Sequence, residues 1–287
     1  MTDNQIMIKT LLCGICRSDI YAYGGFEEPM PFLRQGHEGL GVVIKIGKNI
    51  TDVKVGELVA TYSDPAYATC YYANKGEYAI VPEATAKYIL QPTACSINIA
   101  VKTLDTCTLL QRNENPNILL LGSGFMSLVI GQYFIATNKS FDIVGSSNKD
   151  EWAKLGVTMK SVKDVTGNQY DAVIDLTSKA ENWNLITELK LLRPEGILCY
   201  ASTPYTPVTT NFFEQCWNCF TIIMPSPRNS DFGDIMKLTA NLIMAGHIDP
   251  TPYWTHAYDR RDIESVKLGF EEGSNRTPEY IRGFLVY

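Results

Sequence analysis

The sequence predicts an α/β fold in two parts, one β-rich domain and one doubly wound parallel sheet, and three observations carry that prediction. Beyond about Asn117, short apolar runs alternate with segments long enough to be helices. Those runs are apolar at consecutive positions, as strands of a parallel sheet covered on both faces are. The first third instead holds glycine-punctuated β segments with little helical periodicity.

In chain order, the β-rich part supplies "GLGVVIKIG" (39–47), "GELVATY" (56–62) and "GEYAIVP" (76–82). "NILLL" (117–121) opens the parallel sheet, and "FMSLVIGQYFIATN" (125–138) is its first crossover helix. "FDIVG" (141–145), "DAVIDL" (171–176), "GILCY" (196–200) and "FTIIM" (220–224) follow as strands. The weaker run "VTMKSV" (157–162) is the candidate for a sixth. After Ser230 come a helix, "DFGDIMKLTANLIMAG" (231–246), and a terminal strand, "RGFLVY" (282–287), expected to return to the first domain. The domains are therefore read as 1–97 with 229–287, and 98–228.

At 287 residues, with 45% hydrophobic and 20% charged, the composition is that of a globular chain able to bury a sizeable core. A formal charge of -6 and the lack of any Lys/Arg cluster exclude nucleic acid as a partner. The opening lacks a basic segment followed by a long apolar run, and no stretch nears ~18 uninterrupted apolar residues. A cytoplasmic chain without a membrane partner is expected. Its eight cysteines are then read as buried thiols or metal ligands rather than disulfides.

Gly122-Ser-Gly124-Phe-Met-Ser127, between the first parallel strand and its helix, is a G-x-G-x-x-S form of the dinucleotide fingerprint. Gly122 permits the tight turn, Gly124 lets a pyrophosphate approach a helix N-terminus, and Ser127 is small enough for helix–strand packing. A site for NAD usually places a carboxylate at the end of the second strand, for the ribose hydroxyls. Here Gly145 is followed by Ser146, Ser147, Asn148 and Lys149, which offer hydroxyls, an amide and a cation suited to a 2′-phosphate. NADP(H) is favoured over NAD(H). Asp142 belongs to the strand's start, on the wrong side of Ile143 and Val144.

Cys16 and His37 lie 21 residues apart, and Cys95 is the third candidate ligand. Two thiolates and one imidazole would neutralise Zn²⁺ and leave one tetrahedral position open, as a catalytic site requires. Spacing alone does not establish the group. "GICRSD", "GHEGLGVVIKIGKNITDVKVGELV", "QPTACSINIAVKTL" and "LLLGSGFMSLVIGQYF", in this order, resemble the zinc-dependent medium-chain alcohol dehydrogenase superfamily. The resemblance implies a GroES-like catalytic domain beside a Rossmann domain, and one catalytic zinc on Cys16, His37 and Cys95. It implies that Asp19 hydrogen-bonds the zinc-bound imidazole, that Ser18 passes on the substrate proton, and that Glu38 is the acid beside the metal. Arg17 matches a cation used by some members against the cofactor pyrophosphate. Homodimers or homotetramers, built through the edge strand near "FTIIM", are also implied.

The sequence departs from that pattern in several places. Between Val59 and Gly76 only Cys70 remains of the lobe that binds a structural zinc, so one zinc is expected. Only eight residues precede "KTLLCGIC", so an edge of the catalytic domain is expected to be missing or supplied by another chain. Tyr21 stands where some members complete the proton path with histidine. His247 and His256 are read as ordinary histidines, and Cys216 and Cys219 as packing thiols. The resulting function is zinc-dependent hydride transfer between NADP(H) and a small alcohol, aldehyde or ketone. Two alternatives are an NAD-dependent sugar- or polyol-phosphate dehydrogenase, with Arg228 of "PSPRNSDF" meeting the phosphate, and a non-catalytic dinucleotide-binding protein.

Overall fold

The computed structural model describes residues 1–24, 36–82, 94–107, 110, 115–167, 169–202, 206–210, 213, 216, 219–277 and 279–287. In chain order the first elements are β1 (Gln5–Gly14), α1 (Arg17–Gly24), β2 (Gly39–Ile46), β3 (Leu58–Thr61), β4 (Cys70–Asn74), β5 (Tyr78–Ile80) and α2 (Ser96–Thr106). Next come β6 (Ile118–Leu121), α3 (Phe125–Ala136), β7 (Phe141–Val144), α4 (Lys149–Lys154), α5 (Val162–Val165), β8 (Tyr170–Asp175), α6 (Glu181–Glu188), β9 (Leu192–Tyr200) and β10 (Thr221–Ile223). The chain closes with α7 (Phe232–Met244), β11 (His256–Asp259), α8 (Ile263–Asn275) and β12 (Gly283–Val286). It divides into two compact units, Met1–Asn98 with Pro227–Tyr287, and Ile99–Ser226. Among the described residues no helix is long and apolar enough to cross a membrane.

The first unit is a mixed sheet in the order β11-β12-β1-β2-β3-β5, with β4 also paired to β1. Along β1, Ile6, Ile8 and Thr10 are buried while Gln5, Met7 and Lys9 are not, the period-two pattern of a strand with one covered face. Ile6 and Ile8 are fully buried among Val43, Val59, Tyr71 and Tyr78, and each contributes roughly 1.5–3 kcal/mol by leaving water. One side of β1 pairs with β2; the other is shared, Gln5–Lys9 with β4 and Leu12–Gly14 with β12. Both sides of β1 are thus paired with strands of this chain. The terminal strand does return to this unit, and a second apolar cluster of Ile15, Ile20, Tyr258, Phe270, Tyr280 and Leu285 fastens α8 and α1 to it.

The second unit is a five-stranded sheet in the order β10-β9-β8-β6-β7, every pair parallel. All four residues of β6 are buried, as the unbroken apolar run requires. From β6 the chain moves outward to β7 and then returns to β8 on the other side, so the glycine turn after β6 lies at the point where strand order reverses. Ligands of such sheets bind there. The expected sixth strand does not form. Residues 157–162 contribute one parallel bridge, Val144 to Lys160, before helix α5 begins. Ser161 and Asp164 form a reciprocal capping box that satisfies the helix's first donors, and this local cap prevails over a segment with few apolar residues to bury.

Candidate functional site

Cys16 starts α1 as its cap, its carbonyl accepting the N–H groups of Asp19 (3.0 Å) and Ile20 (3.1 Å). Asp19, three residues on, reaches back so that Oδ2 accepts the Cys16 N–H at 3.1 Å, one half of a capping box. Its other oxygen accepts the Gly36 N–H at 3.1 Å and lies 3.5 Å from His37 Nδ1. Tyr67 Oη is 3.1 Å from Asp19 Oδ2. One buried carboxylate therefore ties the backbone of Cys16 to that of Gly36 and faces the His37 ring. Gly36 makes this approach possible: its φ is +80°, and a Cβ there would come within 2.6 Å of the Tyr67 backbone and ring. Residues 25–35, which lie between Cys16 and His37 in sequence, lie outside the described residues.

Cys95 precedes α2 and is buried. The Sγ atoms of Cys16 and Cys95 and a ring nitrogen of His37 all lie within 4.8 Å of one another. Zn–S bonds of about 2.3 Å in tetrahedral geometry separate two sulfurs by about 3.8 Å, so this donor set fits a zinc ion with small adjustment. The Cys95 thiol donating to Cys16 lowers the Cys16 pKa well below that of an ordinary thiol, against burial and with help from His37. Cys95 is raised by that same hydrogen bond, by burial and by the Cys16 charge. Burial opposes a charged His37, but Cys16 and Asp19 outweigh it and raise its pKa. Ser18 Oγ lies 3.5 Å from His37 Nε2, while Asp19 faces the other ring nitrogen.

Glu38 is fully buried. Its Oε1 accepts from the Ser96 N–H (3.1 Å) and the Ser96 hydroxyl (2.8 Å). Arg282 Nη2 lies 2.6 Å from Oε1 and 2.7 Å from Oε2. Burial opposes the Arg282 charge, yet Glu38 holds it above the usual arginine range. Sequence reasoning passed over Arg282. The available signal was a lone arginine at the head of an otherwise apolar terminal strand. It also passed over Asp64, whose Oδ1 is 4.0 Å from His37 Nδ1, and Tyr67. Arg17 donates to the Gly273 carbonyl at 3.1 Å and lies 4.7 Å above the Tyr21 ring.

In the second unit Gly122 has φ +104°, and Gly124 caps α3 in extended conformation without a side-chain bond, leaving backbone donors of the helix start facing outward. Ser127 is buried and its Oγ has no hydrogen-bond partner among the described residues. The four polar residues after β7 divide. Ser147 N–H donates to Ser123 Oγ at 3.0 Å, and Asn148 Nδ2 donates to the Ser123 carbonyl at 2.9 Å, so both brace the glycine turn. Ser146 and Lys149 are exposed. Asp142 sits early in β7, bonded to Lys160 and Tyr170.

Other expectations resolve as follows. Arg228 donates to Asp64 at 3.1 Å. His256 contacts Thr255 and the Tyr280 ring, and neither it nor His247 belongs to the Cys/His group. Cys216 and Cys219 are not packed in the core as expected: both are exposed, and Cys219 carries φ +51° in an irregular segment before β10.

Residues 2–101 match the alcohol dehydrogenase GroES-like domain. An alcohol dehydrogenase of Schizosaccharomyces pombe is 32% identical over 83 residues, which are 28% of this chain and 23% of that protein's length. The chain thus spans about a quarter of that curated relative. An alcohol dehydrogenase of Moraxella is 23% identical over 84% of this chain and 81% of its own length. Among solved structures, a cinnamyl alcohol dehydrogenase of Sorghum bicolor superposes with a TM-score of 0.78 at 16% identity, covering 100% of this chain and 91% of that one. At that identity the likeness shows the fold.

Proposed function

Because the chain belongs to the medium-chain zinc alcohol dehydrogenase superfamily, we propose that it moves a hydride between NADP(H) and an alcohol or carbonyl substrate, with one zinc on Cys16, His37 and Cys95. The observation that carries this reading is the convergence of two thiols and an imidazole within 4.8 Å. When bound, zinc supplies a Lewis acid for the substrate oxygen, worth several kcal/mol of transition-state charge. Cys16 and Cys95 neutralise the ion as thiolates. Asp19 holds the Nδ1 proton of His37, fixing the tautomer that leaves Nε2 as the ligand atom. Ser18, beside that nitrogen, accepts or returns the substrate's hydroxyl proton. Glu38, occupied by Arg282 and Ser96, supports the centre without joining it.

For the cofactor, the Gly122–Ser127 turn offers backbone donors to a pyrophosphate at the start of α3. Ser146 and Lys149 are assigned to the 2′-phosphate of NADP(H), and Ser147 and Asn148 to holding the turn. The polyol-phosphate alternative is weakened because its phosphate cation, Arg228, is engaged by Asp64. β10 is an edge strand exposing Ile222, so a dimer joined along it belongs to the reading.

Elemental analysis of purified protein tests the metal. About one zinc per chain is expected, lost in Cys16→Ala and His37→Ala. A value near two, or zinc indifferent to both substitutions, would overturn the site. NADPH consumption across a panel of aldehydes and ketones tests the reaction, and light scattering tests the dimer.

A further inference from the structure

Asp64 stands beside the metal ligands without a part in the reading above. It lies in the loop after β3. Its Oδ2 accepts from Arg228 Nη2 at 3.1 Å, while Oδ1 is buried, accepts no hydrogen bond among the described residues and faces His37 Nδ1 at 4.0 Å. A buried carboxylate oxygen left unpaired is costly, so such an atom calls for a donor. Among the described residues the donors of this neighbourhood are few. Gly36 N–H, Cys16 N–H and Tyr67 Oη already serve Asp19, whose Oδ1 lies 3.5 Å from the His37 Nδ1 that Asp64 faces at 4.0 Å. The Nδ1–H is left as the group both carboxylates face.

Arg228 is itself held in place. Its guanidinium lies 5.8 Å from the Tyr62 ring centroid, and Tyr62 packs edge-on to Phe232 at 4.6 Å, at the start of α7. "PSPRNSDF", which the sequence offered as a phosphate site, here presents its arginine to a carboxylate next to a candidate metal ligand. A 4.0 Å separation needs less than about 1.3 Å of approach to become a hydrogen bond. A cation at Nε2 strengthens the Nδ1–H as a donor and favours that approach.

We propose that Asp64, anchored by Arg228, is a second carboxylate partner of the His37 Nδ1–H, and that Asp19 and Asp64 together orient the imidazole toward the metal. Asp64 is a positioning residue: it acts through His37 and touches neither metal nor substrate. The inference rests on the reading of Cys16, His37 and Cys95 as the zinc site. Outer partners of this kind typically change metal affinity 10–100-fold when removed.

The test is the zinc dissociation constant of the full chain, measured by competition with a chromophoric chelator, for wild type, Asp64→Asn, Arg228→Gln and Arg228→Lys. Asp64→Asn is expected to weaken zinc by about 10-fold or more, and Arg228→Gln to weaken it in the same direction, with recovery in Arg228→Lys. The visible spectrum of the Co²⁺-substituted protein should shift in Asp64→Asn, which a merely structural ion pair would not cause. If Asp64→Asn fails to fold, the two Arg228 variants decide. Wild-type affinity and an unchanged Co²⁺ spectrum in Asp64→Asn, or wild-type affinity in Arg228→Gln should that variant alone be measurable, would overturn the inference while leaving the zinc site standing. A wild-type chain that binds no zinc overturns both.

Discussion

Replacing Arg282 by methionine leaves a fully buried carboxylate with half of its close contacts. Glu38 has no exposed side-chain surface and Arg282 only 11%, so neither charge is screened by water to a useful degree. The substitution deletes the contacts at 2.6 and 2.7 Å and keeps the two from Ser96 at 3.1 and 2.8 Å. Removing one member of such a pair costs about 3–5 kcal/mol, because the survivor stays buried and charged. The double substitution Glu38→Gln with Arg282→Met removes both charges and retains the Ser96 bonds, so it should cost much less than the single. A coupling energy of at least about 2 kcal/mol is expected. Since the chain has two units, the measurement should report on the first alone: hydrogen exchange of the β1 and β2 amides across a urea series, on metal-free protein. A loss below about 1 kcal/mol in Arg282→Met, or a double variant no more stable than the single, would refute the argument from desolvation.

Three further outcomes follow from the two sites. Lys149→Ala should weaken NADPH by about 10-fold, the scale of one lost charge-assisted contact, and leave NADH unchanged. Asn148→Ala should weaken both cofactors alike, because it removes a brace of the turn; fluorescence titration measures these affinities, and equal wild-type affinity for the two cofactors would contradict the NADP(H) assignment. Ser18→Ala should lower turnover of a responsive carbonyl by roughly 10²-fold with zinc content and NADPH affinity intact, and unchanged steady-state turnover would remove Ser18 from the proton path.

Much of the architecture was legible because it is written in neighbouring residues. Consecutive apolar positions from 118 to 121, ending at a glycine turn, suit a strand covered on both faces, and the Gly-x-Gly that follows permits the φ of +104° found at Gly122. The same holds for "CRSD", where the spacing of cap and acid within one helical turn lets Asp19 reach the Cys16 N–H. The failed sixth strand at 157–162 is instructive in the opposite sense. Its β pattern was read, but the capping box written three residues across it was not, and a local bond pair that forms without partners ended the strand.

Neighbouring residues therefore accounted for the strands of the parallel sheet, the glycine turn and the residue types able to take zinc and a dinucleotide. Tertiary structure alone decided which charges meet. Arg282 finds Glu38 across 244 positions, and Arg228 finds Asp64 across 164. It also decided that Ser147 and Asn148 turn inward to Ser123 while Ser146 and Lys149 remain outside. The physical reason is that backbone conformation and hydrophobic period are properties of adjacent residues, whereas the partner of a charge is set by distance and by the water excluded around it. Both are known only once the strands β1, β2 and β12 have brought Glu38 and Arg282 to the same buried place.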